Sequence, residues 1–163
     1  MEEIIPPAQV TLMPAGWRDI GELKTLEKIS FGRHAWPLLD LLAVLMAPAI
    51  IRIKACRDNR MAGFIAGEKR SDGSGWITTI AVMPAYRHQG IATLLIDTCE
   101  KQLNTQHYKL CVMVDNLDAI RLYQNLGYRK TDLWENYYGK GEHALLMVKR
   151  LAQPEKPNGK LES

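Results

Sequence analysis

The sequence predicts an α+β domain: a central, mostly antiparallel sheet of about seven strands flanked by about four helices, with one parallel strand–helix–strand step. Two observations predict it. Short apolar or alternating runs, bounded by Pro, Gly, Asn and Asp, recur along the chain, and four longer stretches carry apolar residues at helical spacing. The order is strand, two helices, three strands, helix, strand, helix, two strands. That order sets hairpins beside one crossover, which is right-handed between parallel strands.

Gln9–Met13 reads as a short first strand, and Trp17–Phe31 carries Ile20, Leu23, Leu26 and Ile29 at helical spacing. Pro37 opens a second helix to about Ala47, because a missing N–H costs little in a first turn; Pro48 ends it. From Ile50 the chain alternates, with Ile51, Ile53 and Ala55 on one face and Arg52 and Lys54 on the other, the pattern of a half-exposed strand. Arg57-Asp58-Asn59-Arg60 is a turn, and Met61–Glu68 returns beside the previous strand. Ser71–Gly75 is a loop of turn formers, and Trp76–Met83 is a third strand ended by Pro84. Gly90 to about Gln106 is the clearest helix, with Ile91, Leu95, Cys99 and Leu103 in one stripe broadened by Leu94. Leu110–Val114 is a short apolar strand. Asp115, Asn116 or Asp118 then caps a helix that shows Ala119, Leu122, Tyr123 and Leu126 on one face, and Gly127 stops it. Strands near Tyr128–Asn136 and Glu142–Leu151 complete the order.

At 163 residues, 47% hydrophobic and 24% charged, the chain suits one domain with a real core, and a disordered or fibrous chain is excluded. That domain is expected over 1–151, with a polar, disordered tail at 152–163. A net charge of +3 is no footprint for a nucleic-acid binder, but it permits a local basic site for an anion. Three widely spaced cysteines (Cys56, Cys99, Cys111) fit reduced thiols in the cytoplasm. They suggest neither a disulfide framework nor a zinc ribbon. The histidines are scattered, so no metal is expected. The chain start lacks a secretory pattern. The most apolar stretch, Ala35–Ile51, is interrupted by Pro37, Asp40 and Pro48, so no membrane partner is expected.

Most of the chemistry is concentrated in Ile80-Ala81-Val82-Met83-Pro84-Ala85-Tyr86-Arg87-His88-Gln89-Gly90-Ile91-Ala92. A strand ends, a turn follows, and a helix opens at a glycine between basic and small residues. The first turn of a helix has unpaired N–H groups and the positive end of the dipole. Gly90 and Ala92 let a ligand approach the backbone, and Arg87 and His88 add donors, as a phosphate or diphosphate requires. On spacing alone, a plain turn with a solvated Arg–His pair fits equally well. The segment is neither a P-loop nor a dinucleotide fingerprint, since it lacks the Gly-Lys-Ser/Thr ending and the triple-glycine spacing.

The stretch Val82-x-Pro84-x-x-Arg87-x-x-Gly90-x-Ala92 resembles the acetyl-CoA diphosphate loop of the GNAT acetyltransferase superfamily. Asn116-x-x-Ala119-Ile120-x-Leu122-Tyr123-x-x-Leu126-Gly127-Tyr128 resembles its second signature. Asn136-Tyr137-Tyr138, then Gly141-Glu142-x-Ala144-x-x-Met147, is similar to the N-terminal protein acetyltransferase branch, which includes the ribosomal-protein alanine acetyltransferases. The resemblance spans about residues 9–151. At position 111 this chain has Cys where that branch often places a Glu or His as candidate base.

The resemblance implies direct attack of an amine on the thioester of acetyl-CoA, as co-substrate and without a metal. Backbone N–H groups of His88, Gln89, Gly90, Ile91 and Ala92 are expected on the diphosphate, with Arg87 beside it. Ile80, Ala81 and Val82 should pair with the amide-bearing pantetheine arm as a sheet edge pairs with a strand, with an N–H near Val82 facing the oxyanion. Asn116 is either an anchor beside that arm or a helix cap. Tyr123 is expected as the general acid for the departing thiolate, although its periodicity alone would make it core. The base is left open. An α-amine of pKa about 7.7–8.0 is partly neutral near pH 7.4, whereas lysine at about 10.4 is not, so an N-terminal acceptor asks less of a base. Tyr137, Tyr138, Glu142 and His34 are candidates for acceptor binding or proton relay; strand packing or surface exposure would explain each as well. The expected acceptor is a protein or peptide N-terminus. The alternatives are a small amine (polyamine, amino acid or aminoglycoside) or a non-catalytic CoA sensor, and the expected assembly is a monomer or homodimer.

Overall fold

A turn formed by Asp58 and Asn59, both at positive φ, folds β2 (Ile50–Arg57) back onto β3 (Arg60–Lys69), and β4 (Gly75–Val82) extends the same antiparallel sheet. In this computed structural model the described residues are 9–152, so the tail expected to be disordered lies almost wholly outside them. Before the hairpin come β1 (Thr11–Pro14), α1 (Ile20–Phe31) and α2 (Leu38–Met46); after it come α3 (Ile91–Leu103), β5 (His107–Met113), α4 (Leu117–Asn125), β6 (Arg129–Gly139) and β7 (Glu142–Arg150). The sheet has seven strands in the order β1-β2-β3-β4-β5-β7-β6. Only β4 and β5 run parallel, joined through α3. The expected class, strand number and helix number are therefore those observed. Among the described residues no helix is long and apolar enough to cross a membrane.

Two cores fill the two faces of the sheet. On one face α3 and α4 bury Ile91, Leu95, Ile96, Cys99 and Ile120 against Ile65, Leu110 and Met147. On the other, Leu23 and Leu26 of α1 and Leu41 and Leu45 of α2 meet Phe64, Ala66 and Ala81. Each Leu, Ile, Phe or Met among them contributes roughly 1.5–3 kcal/mol when fully buried. Glycine brings α3 close to the sheet: a Cβ at Gly67 would lie 2.9 Å from Cys99 Sγ and 3.0 Å from the Trp76 carbonyl oxygen.

The helical stripes differ from the expected ones for a geometric reason. A residue turns about 100° around the helix, so a row at i+3 winds back about 60° per step. Ile20, Leu23, Leu26 and Ile29 form such a row, and only its middle is buried: Ile29 is 48% exposed, and Glu27 takes the inward position. The i+4 row of α3 drifts less, so Ile91, Leu95, Cys99 and Leu103 all stay inside. Ile96, not Leu94, broadens that row, and Leu94 is exposed. Trp17–Asp19 is a 3-10 turn rather than the start of α1, and α3 ends at Leu103, where Asn104 adopts a left-handed conformation.

The two halves of the sheet are held together by more than strand pairing. Glu100, buried on α3, accepts from the Tyr128 hydroxyl at 2.6 Å and from Lys149 Nζ on β7 at 2.7 Å, while its carbonyl accepts from the Tyr108 hydroxyl at 2.8 Å. This network ties α3 to the β5–β7–β6 half, so the β4–β5 ladder can be short.

Candidate active site

The ladder between β4 and β5 consists of Gly75 and Trp76 opposite Tyr108 and Lys109; beyond it the strands part. On its other edge β4 stays paired with β3 as far as Val82. The Met83 N–H donates to the Ala62 carbonyl at 2.8 Å. Strand alternation therefore turns the backbone groups of Val82 and Ile80 the other way, into the gap. There the Val82 carbonyl accepts from Arg87 Nε at 3.0 Å.

The turn after β4 forms the mouth of the gap. Pro84–Tyr86 is a 3-10 turn, His88 has φ +59°, and Gly90 caps α3 with φ +79°. The first bond within α3 runs from the Leu94 N–H to the Gly90 carbonyl at 3.0 Å. The amides of Ile91, Ala92 and Thr93 thus have no helical partner, and the dipole places partial positive charge beside them. A Cβ at Gly90 would meet no atom within 4 Å, and Gly90, Ile91, Ala92 and Thr93 all line an open cleft.

A cleft of about 370 Å³ joins the mouth to the strand edge. Ile80, Ala81 and Val82 line it from β4; Arg87, His88, Gly90, Ile91 and Ala92 line it from the turn and α3; Asn116 and Tyr123 line it from the α4 side. Gln89 does not line it: its side-chain carbonyl accepts from Arg57, whose guanidinium also lies 5.5 Å from the Tyr86 ring, tying the turn to the end of β2. Asn116 is a helix cap, accepting from the Ala119 N–H at 3.3 Å, and it lines the cleft as well. The donor set fits a CoA thioester: unpaired amides and Arg87 for the diphosphate, and an open strand edge for the amide-bearing arm.

Tyr123 is both core and cleft wall. It is 7% exposed, packs edge-on against Tyr128 at 6.0 Å, and lines the cleft. Burial, then the charge of nearby Tyr138, pushes its phenol above the ordinary value, so it stays protonated at neutral pH. Burial likewise raises the Cys111 thiol to about 11, which makes it a poor nucleophile.

Tyr137, Tyr138, Glu142 and His34 gather in a second cluster. The Tyr137 and Tyr138 rings are 4.9 Å apart, and Tyr138 is 6.0 Å from His34. His34 Nε2 stands 3.3 Å from Glu142 Oε1, and Glu142 also pairs with Arg33. Burial lifts the Tyr138 phenol to about 12. The cluster adjoins the cleft through Tyr138 and Tyr123, and through Ser30 and Phe31, which line the cleft just before Gly32 turns the chain at φ +55°. Ser30 was missed from sequence. The signal was Gly32, a helix-stop residue that sets the reversal there.

The chain matches the acetyltransferase (GNAT) family over residues 17–128. It is 38% identical over 107 residues to an uncharacterized N-acetyltransferase of Methanocaldococcus jannaschii, covering 63% of this chain and 65% of that protein. It is 38% identical over 81 residues to an N-alpha-acetyltransferase of Saccharolobus solfataricus, covering 47% and 48%. The chain thus spans about half to two thirds of the length of these relatives. Its fold is that of the ribosomal-protein-S18-alanine N-acetyltransferase of Escherichia coli, with a TM-score of 0.80 at 20% identity over 91% of this chain and 98% of that one. By the match over residues 17–128, and by a fold that carries both signatures into one cleft, the chain belongs to the GNAT acetyltransferase family.

Proposed function

We propose that this chain is an acetyl-CoA-dependent N-acetyltransferase whose acceptor is the α-amine of a protein or peptide N-terminus. The observation that carries the reading is the parting of β4 from β5, with unpaired helix amides at the mouth and Tyr123 on the wall. Acetyl-CoA supplies the activated acetyl thioester. The amides of Gly90 to Ala92 and the Arg87 guanidinium hold its diphosphate. The backbone of Ile80 and Val82 aligns its arm. The Val82 N–H faces the carbonyl oxygen and stabilises the negative charge that develops as the amine attacks. The C–N bond forms, the C–S bond breaks, and Tyr123 gives its proton to the departing sulfur. The proton shed by the amine passes to water, and Tyr123 is reprotonated from solvent.

The N-terminal acceptor is supported by the cluster of Tyr137, Tyr138, Glu142 and His34 beside the cleft, and by relatives named for that activity. It also fits a site with Cys111 where a carboxylate base would stand, because an α-amine is partly neutral near pH 7.4. A cytoplasmic setting belongs to the same proposal, supported by three free thiols. The test is CoA release from acetyl-CoA with a panel of N-terminal peptides, a blocked peptide with a free lysine, and small amines. The expected result is turnover with free N-terminal peptides alone. Turnover confined to a polyamine, amino acid or aminoglycoside would replace the acceptor, and tight CoA binding without turnover on any amine would leave a sensor.

A further inference from the structure

Glu27 is a buried carboxylate that the reaction above does not use. It lies on α1 at 1% exposure, in the layer filled by Leu23, Leu26, Leu41 and Phe64. It makes no ion pair among the described residues. Its partners are neutral: Oε1 accepts from the Thr79 hydroxyl at 3.1 Å, and Oε2 accepts a long 3.5 Å bond from the Trp36 N–H. Burial raises its pKa, and the two bonds only partly offset that. A buried carboxylate without a cation is costly, and an apolar side chain of similar volume would pack there at lower cost.

The two partners belong to the two walls of the site. Thr79 sits at the irregularity of β4, where pairing passes from Ile77 opposite Gly67 to Thr79 opposite Ala66 and skips Thr78. Immediately after it come Ile80 and Val82, whose backbone faces the gap. Trp36 belongs to the segment 32–37 between α1 and α2, and that segment carries Arg33 and His34 to Glu142. One side chain thus touches the strand that aligns the donor and the segment that borders the acceptor.

We propose that Glu27 is a positioning residue that fastens the 32–37 segment to β4, setting the width of the acceptor entrance relative to the donor strand. It transfers no proton. This role deepens the acceptor reading above and rests on it for its kinetic consequence, but the fastening itself is a property of the free protein.

The test compares Glu27→Leu and Glu27→Gln with the wild type, by amide hydrogen exchange over residues 32–37 and by separate KM values for peptide and acetyl-CoA. Gln keeps an accepting oxygen for Trp36 and an amide that can donate to the Thr79 hydroxyl; Leu removes both contacts. For Glu27→Leu, exchange over 32–37 should rise about tenfold, and the peptide KM about tenfold, with the acetyl-CoA KM within about twofold. Glu27→Gln should stay within about threefold on all of these. Unchanged exchange and peptide KM in Glu27→Leu would overturn the proposal, as would an equal rise in both KM values. If Glu27→Leu does not fold, Thr79→Val, which removes one anchor at constant shape, must loosen the same segment; unchanged exchange there overturns it. A wild type that acetylates no peptide sinks the acceptor reading, while the exchange comparison still decides the fastening.

Discussion

Tyr123 shows how one residue can satisfy two demands. Helix periodicity makes it a core residue, and at 7% exposure it is one; the same ring also forms part of the cleft wall. Phenylalanine keeps the packing against Tyr128 and removes only the proton donor. Tyr123→Phe should therefore lower kcat by about 10²–10⁴-fold while CoA affinity stays within about twofold, read from steady-state CoA release and from calorimetric titration. Unchanged turnover would remove Tyr123 as the acid. Gly90, Val82 and Arg87 were legible in the sequence because a strand end, a turn and a helix start leave a local signature. Glu27 was not: a carboxylate one position from an apolar row reads as solvated, and only the winding of that row reveals which side faces in. The Gln89 side chain was not legible either, since its partner Arg57 comes from a distant strand end.

At the scale of elements, the site depends on how closely α3 lies against the sheet. Gly67 permits that approach, with Cys99 Sγ, the Trp76 carbonyl and Leu103 all within 3.2 Å of where a Cβ would stand. Gly67→Val should destabilise the fold by about 1–3 kcal/mol through overpacking, measured by urea unfolding with an unchanged m-value. A variant as stable as the wild type would show that α3 shifts freely. Strand and helix order was readable from period-two and helical patterns. The early parting of β4 and β5 was not, because it depends on a partner more than 20 residues away: Trp76 pairs with Lys109, and no local pattern says where that pairing stops. β6 also runs past Asn136, its expected end, to Gly139. Asn136 bends the strand at φ +55°, and its side-chain oxygen accepts from the Gly141 N–H at 2.7 Å, a local closure that resembles a strand end in sequence.

For the whole molecule, the sheet is two halves joined by a two-residue ladder and by α3, with Glu100 anchoring α3 to Tyr128 and Lys149. That construction leaves a gap without an open core; the opening turn of α3 stands at its mouth, and the cluster of His34, Tyr137, Tyr138 and Glu142 adjoins it. The crystal structure of the complex with CoA tests this arrangement most directly. It should show diphosphate oxygens about 2.7–3.2 Å from the amides of Gly90 to Ala92, with the arm paired to Ile80 and Val82. A diphosphate bound elsewhere, with those amides turned to water and the gap between β4 and β5 closed, would contradict it.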